Sequence, residues 1–314
     1  MAAGLAVTAA ACSSEKPGVV AKDGSVTIKH AFGETKIPSP PKRVVSAGYT
    51  DQDDLLALGV VPVAVTNWFG DQPFGVWPWA LPKLGTAQPV VLDLSNGIQV
   101  DQIAALKPDL IVATNAGMDA DTYTKLTAIA PTVAQSGQDA FFEPWKDQAA
   151  TIGQAVFKYD EMRKLVSDLD DKFVNAGKNN ASFSGKKVFV VRGAFMGDAL
   201  QITPAGWRTD FLTQMGFVIP DGIDNYIKDG EALVPRDRAA SVLDEADALI
   251  WTTESDAEQT ALLADPTFAE LKATKTNRNV LTGKDLAGAI TFATVPSYAM
   301  VADQLPPLIN KVLA

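Results

Sequence analysis

The chain has one cysteine, Cys12, and one histidine, His30, among its 314 residues. A lone cysteine excludes an internal disulfide. A lone histidine excludes a histidine-rich metal site and leaves any Ser–His pair dependent on position 30. No Gly-x-Ser-x-Gly elbow occurs, and neither does Gly-x-Gly-x-x-Gly or a phosphate-binding loop, so acyl transfer and nucleotide chemistry lack their usual cradles. Basic residues are in the minority: 27 Lys and Arg against 37 Asp and Glu give a net charge of −10. Such a surface offers no footprint for a nucleic-acid backbone and suits solubility or docking on a basic protein. No apolar run reaches the ~18 residues that a membrane span requires.

What the chain does have is core-forming material. Apolar residues make up 47% of it, enough for two domains at this length. The organising stretch is Tyr159 to Ala176, YDEMRKLVSDLDDKFVNA. Met162, Leu165, Val166, Leu169 and Phe173 recur at helical spacing and form one apolar stripe. Asp160 and Glu161 put negative charge in the first turn, Gly177 offers a C-terminal stop, and Asp168 with Lys172 makes an i,i+4 pair. Because β/α patterns lie on both sides, this helix is expected to be a strut between two lobes, with a ligand cleft beside it.

Ahead of the first lobe, LAVTAAA (Leu5 to Ala11) runs into Cys12-Ser13-Ser14. A small-residue stretch ending in Ala-Ala-Cys resembles a lipobox, whose cysteine is lipidated at the end of a secretory signal. It departs from the pattern in having Ala9 where leucine is usual and no basic segment in front. Residues 13–22 read as a linker. A small hairpin is expected across Phe32-Gly33-Glu34. Strands follow at Arg43 to Ala47, Val61 to Thr66, Leu110 to Thr114 and Pro131 to Ser136, with helices between them. Beyond the strut, strands are expected at Lys187 to Arg192, Leu200 to Thr203, Ala248 to Thr252 and Asn279 to Leu281. Helices are expected near Asp210 to Met215 and Asp265 to Thr274, and from Ser297 to Leu313 with a break at Pro306-Pro307. The alternation defines an α/β protein of two lobes, each a mainly parallel sheet flanked by helices, joined by one long α-helix. The expected divisions are a signal remnant and linker at 1–25, lobes at 26–155 and 181–314, and the connecting helix at 156–180.

The halves also echo one another. Asp101 starts a helix and Asp109 turns into the strand LIVA; Asp237 starts a second helix and Asp247 turns into ALIWT. The segment DQIAALKPDLIVA, with HAFGETKIPSPPKRVVSAG, DDLLALGVVPVAVT and EPWKDQAATIGQAV in order, resembles ABC-transporter substrate-binding proteins of the helical-backbone (class III) type. The likeness is strongest to actinobacterial iron-transport lipoproteins of the FecB type and covers the chain from Val26 onward. It implies two lobes on one long helix, a shallow cleft with little closure, and one acidic residue per lobe pairing with arginines of a membrane permease. Those acidic positions fall on Asp101 and Asp237. The family more often has glutamate there, one methylene longer.

The resemblance implies a ferric siderophore as the ligand, with no cofactor of the protein's own, no metal ligand set, and a monomer anchored outside the cell membrane through Cys12. Contacts are expected in loops at the C-terminal ends of the strands. The first lobe offers Tyr49, Trp68, Phe69, Trp77, Trp79 and Asn115, with Met118 beside them; Phe141, Phe142 and Trp145 lie just before the strut. Aromatics in a Pro/Gly-broken loop suit a flat apolar ligand. The second lobe offers Arg192 at a strand end, Arg208 beside Trp207, and Tyr226. Guanidinium groups present several donors to siderophore oxygens and stack on rings. Haem, through Tyr49 or Tyr226 or with no axial ligand, and cobalamin are the alternatives within this fold. A surface lipoprotein with no small ligand is the alternative from another class, and catalysis has no candidate constellation.

Overall fold

The structure, a computed structural model, describes residues 17–314; the lipidation reading at Cys12 falls outside the described residues. A hairpin comes first. Strands β1 (Val26–His30) and β2 (Gly33–Ile37) pair antiparallel, with Val26, Ile28 and Ile37 on the buried face. The first lobe then builds a sheet from β3 (Val44–Ser46), β4 (Ala64–Thr66), β5 (Val90–Leu92), β6 (Leu110–Ala113) and β7 (Thr132–Ala134). Its order is β5-β4-β3-β6-β7 and every neighbouring pair is parallel. All residues of β3, β4, β6 and β7 are buried, which is why these strands read as unbroken apolar runs rather than alternations.

The second lobe carries β8 (Val188–Met196), β9 (Ala199–Thr203), β10 (Ile227–Lys228), β11 (Glu231–Pro235), β12 (Ala248–Thr252) and β13 (Asn279–Leu281). In the order β10-β11-β9-β8-β12-β13, the strands β8, β12 and β13 are parallel, whereas β9, β11 and β10 join antiparallel. This sheet is therefore mixed. The cause is local: only Gly197 and Asp198 separate β8 from β9, and Gly197 has φ 64°. A two-residue turn closes a hairpin and cannot make a parallel crossover.

The connecting helix spans Tyr159–Asn179, ~32 Å at the usual rise per residue. Met162, Leu169 and Phe173 are buried, with Leu165 and Val166 half-buried beside them. Each of the three buried side chains stabilises by roughly 1.5–3 kcal/mol. The helix runs past Gly177, which was expected to stop it. A Cβ there would lie 2.4 Å from the Met215 carbonyl oxygen, so this glycine serves close packing rather than termination. The expected Asp168–Lys172 pair is also replaced: Asp168 binds Lys164 at 2.6 Å, and Lys172 reaches Asp303 of the C-terminal helix at 3.1 Å.

The C-terminal helix, Val295–Leu313, starts two residues earlier than expected and runs unbroken through Pro306 and Pro307. Two donors are missing from its ladder, yet burial of Leu305, Pro306 and Ile309 holds it in place. It packs on the connecting helix and on the first-lobe helix Asp51–Ala57. One hydrophobic core consequently runs through both lobes, including Leu55 and Val112, Met162 and Leu169, Ile250 and Leu305.

The echo between the halves has a structural basis. Asp109 accepts backbone N–H groups of Lys42 and Arg43 just before β3, and Asp247 accepts the N–H of Lys187 just before β8. Each aspartate, leading into β6 or β12, pins the start of the neighbouring parallel strand. Asp101 and Asp237 are both exposed, one in the helix Val100–Ala105 and the other in a short turn of helix, Arg236–Arg238.

Candidate functional site

A cavity of about 520 Å³ opens where the first-lobe loops, the second sheet and the helix Gly283–Phe292 meet. Phe292 is the hub of its apolar wall. Its ring lies 4.8 Å from Trp68, 5.5 Å from Trp77 and 5.7 Å from Phe69, the last stacked at 6°. Phe142 adds a further stacked ring at 6.4 Å. Trp77 also stacks on Trp79 at 4.7 Å. Aromatic pairs of this kind add roughly 0.5–1.5 kcal/mol each beyond area burial.

Glycines make room for Trp77. A Cβ on Gly288 would sit 2.7 Å from the indole ring and one on Gly70, which has φ 91°, 2.4 Å from it. A stacked indole between two backbones cannot yield cheaply, so side chains are barred at both positions. Phe142 is placed by a different device. Its backbone has φ 55°, in the left-handed region, and its N–H donates to Asn115 Oδ1 at 2.9 Å. Asn115 in turn donates to Thr50 Oγ1 at 3.1 Å.

The second sheet supplies the charge. Arg192 on β8 donates to Glu254 Oε1 at 2.9 Å. Arg208 pairs with Glu231 at 3.5 Å and lies over the rings of Trp207 and Phe142 at 4.6 and 5.9 Å. Lys284 donates to the Gly70 carbonyl at 3.0 Å, tying the helix Gly283–Phe292 to the first-lobe loop. Trp77 Nε1, Arg192 Nε, Gln201 Oε1 and Glu231 Oε2 are buried and have no hydrogen-bond partner among the described residues.

Of the residues singled out in the sequence, the structure brings Phe69, Trp77, Arg192 and Arg208 together on the cavity lining. Trp68 is buried beneath it, donating to the Gly75 carbonyl at 2.6 Å. Trp79 donates to Asp53 at 2.6 Å, and Asn115 is fully buried. Trp207 contributes through its stacking on Arg208. Tyr49 stands off the lining, stacked on Phe141 at 5.9 Å and tilted against Phe69 at 5.6 Å. Burial, with Asp93 nearby, pushes its phenol up. Tyr226 lies on the other side of the second sheet, packed against that lobe's own core. Met118 and Trp145 are core residues.

Phe292, Lys284, Gln201 and Glu231 carry no local sequence signal of their own. Glu254 alone had a readable cue. It follows β12, whose end residue Thr252 pairs in register with Arg192.

Beside the cavity, the helix Asp51–Ala57 carries three fully buried carboxyls. Asp51 accepts from Thr114 Oγ1 at 2.5 Å, Asp53 from Trp79 and from Thr294 Oγ1 at 2.9 Å, and Asp54 from Gln148 at 3.0 Å. Burial pushes all three up to about 7. Their partners differ, and no group of three or more His, Cys, Asp or Glu among the described residues is placed to hold a metal ion. Thr294 caps the C-terminal helix in a capping box with Ser297. Asp53 thus bonds the first lobe to the start of the chain's last helix.

Two α/β lobes on one long helix with a cavity between them form the architecture of a solute-binding protein. The periplasmic binding protein family matches residues 44–286, and the chain belongs to that family. It is similar to a periplasmic solute binding protein from Mycobacterium smegmatis, at 62% identity and a TM-score of 0.88, covering 93% of this chain and all of that one. It also resembles Staphylococcus aureus SirA, solved with staphyloferrin B, at 25% identity and a TM-score of 0.70 over 90% of this chain and 98% of SirA. In sequence it is 31% identical to Bacillus subtilis YfiY, a probable siderophore-binding lipoprotein, over 67% of this chain and 63% of that relative. The chain spans just under two thirds of the length of such relatives. No helix among the described residues is long and apolar enough to cross a membrane.

Proposed function

We propose that the protein is an extracytoplasmic receptor that captures a ferric siderophore in the inter-lobe cavity and delivers it to an ABC permease. The observation that carries this reading is the cavity itself. Its volume falls within the range that encloses a drug-sized ligand, and it sets an aromatic wall against Arg192 and Arg208. Guanidinium groups donate to the carbonyl and hydroxamate or catecholate oxygens that such ligands present. The names of YfiY and of SirA's bound ligand support the same class.

Asp101 and Asp237, exposed on separate lobes, are the docking residues in this reading. Cys12 is the anchor, and the receptor works as a monomer. The shared core and the bridging C-terminal helix favour a fixed separation between the two acidic tips. Haem is the weaker reading, because Tyr49 and Tyr226 do not converge on the cavity.

The test is quenching of intrinsic tryptophan fluorescence, since Trp77 lines the cavity. Titration with ferric hydroxamate, catecholate and citrate complexes is expected to reveal at least one binder. No quenching below ~10 μM by any of them, only about 7 kcal/mol of affinity, would overturn the reading.

A further inference from the structure

Resting on that reading of the cavity, we infer that the site selects a ferric complex of zero or single positive charge bearing N–H or O–H donors, of the trihydroxamate class, and rejects polyanionic complexes.

The first ground is charge. Three cations line the cavity, Arg192, Arg208 and Lys284, and so do three carboxylates, Asp71, Glu231 and Glu254. They cancel. The charge of each arginine is already compensated, Arg192 by Glu254 at 2.9 Å and Arg208 by Glu231 at 3.5 Å, while further N–H groups of each remain to donate to a neutral oxygen. A polyanionic ligand that takes either guanidinium leaves a carboxylate uncompensated beside its own negative charge. That arrangement is most unfavourable at Glu231, whose side chain is 26% exposed, and milder at Glu254, which is 69% exposed.

The second ground is hydrogen-bonding capacity. Four lining residues each carry a buried polar atom without a partner: two acceptors, Gln201 Oε1 and Glu231 Oε2, and two donors, Arg192 Nε and Trp77 Nε1. Buried polar groups without partners are costly, so a ligand that turns these side chains toward itself gains by satisfying both kinds. A ligand whose surface is all anionic oxygen can serve only the donors.

Iron chemistry turns these needs into a class. Three singly charged hydroxamates neutralise ferric iron, and their linkers carry amide or amine N–H groups. Three catecholate dianions leave the complex threefold negative, and ferric citrate is likewise anionic. The pocket's neutral balance therefore matches the hydroxamates.

The experiment titrates the full chain by tryptophan quenching with ferrioxamine B, ferrichrome, ferric dicitrate and a ferric tris-catecholate, and repeats it with Glu231→Gln and Glu254→Gln. The neutral and cationic complexes are expected to bind on the order of 100-fold tighter than the tris-catecholate. Each Gln variant, lacking one carboxylate, is expected to narrow that ratio by on the order of 10-fold. Equal or tighter binding of the citrate or catecholate complex by the unmodified chain overturns the inference while leaving the siderophore reading intact. So does an unchanged ratio in both variants. Binding of none of the four overturns both.

Discussion

Asp53 Oδ2 accepts a hydrogen bond from Thr294 Oγ1 at 2.9 Å across 241 positions of the chain. The same carboxylate oxygen accepts from Trp79 Nε1 at 2.6 Å. One buried side chain thereby joins the first lobe, the aromatic loop and the cap of the C-terminal helix. Removing the hydroxyl with Thr294→Val should cost about 1–2 kcal/mol, combining a lost cap with a carboxylate left short of a donor. Urea unfolding measures it, and an unchanged midpoint would contradict a structural role for the bond.

The buried carboxyls give stability a definite dependence on pH. Burial raises Asp51, Asp53 and Asp54 from 3.8 to about 7. Between those values the folded chain holds protons that the unfolded chain has released, so their contribution is fully present below about pH 4 and is lost as pH rises to 7. Each carboxyl lowers stability on the order of 1 kcal/mol per pH unit across that window. In Asp53→Asn the slope of unfolding free energy against pH should be more positive than in the unmodified chain between pH 5 and 7. Parallel slopes would place that titration elsewhere.

Gly288→Ala is expected to act on binding and on folding together. The added methyl would stand 2.7 Å from the Trp77 ring, and the indole must leave its stack on Trp79. Ligand affinity should fall on the order of 10-fold, with a shifted tryptophan emission maximum and a lowered urea midpoint, reflecting about 1–3 kcal/mol of overpacking. Unaltered emission would show that Trp77 can remain in place.

Asn115→Ala removes the acceptor for the Phe142 N–H at a left-handed position. The loss is expected to be about 1–3 kcal/mol in stability and to weaken ligand binding through the displaced Phe142 ring. Asn115→Asp keeps the acceptor oxygen but buries a carboxyl, so it should restore part of both only at a pH low enough to keep that group neutral. Unchanged stability and affinity in Asn115→Ala would show that Phe142 keeps its place without this bond.

The double variant Asp101→Ala, Asp237→Ala should abolish uptake of ferric siderophore in cells while leaving affinity in solution unchanged. Both side chains are exposed and off the cavity, and exposed charge pairs act on orientation more than on intrinsic affinity. Loss of solution affinity would reassign them.

Periodicity and turn chemistry carried much of the architecture into view. The apolar stripe of Met162, Leu169 and Phe173 marked the connecting helix, and ALIWT and NVL stand as strands with the expected bounds. The strand expected to end at Arg192 runs on to Met196, and its antiparallel pairing emerged only once β9 was seen beside β8. The helix Gly283–Phe292 and strand β11 were missed, because GKDLAGAITF is apolar nearly all round and EALVP is short. Buried helices and short edge segments give weak periodic signals.

For the site, residue types in strand-end loops pointed to Phe69, Trp77, Arg192 and Arg208, since loop position and chemistry are both local properties. The sequence by itself determined the lobes, the long helix and those four side chains. Tertiary structure decided what they face. Whether an aromatic lines a cavity or lies beneath it depends on which way its side chain leaves the loop, and so Trp68 and Trp77 are both buried while only Trp77 reaches the wall. Phe292 became the hub, and Glu231 and Glu254 came to hold the arginines, through contacts between residues distant in sequence. Side-chain direction and long-range pairing follow from packing the whole chain, and no local pattern encodes them.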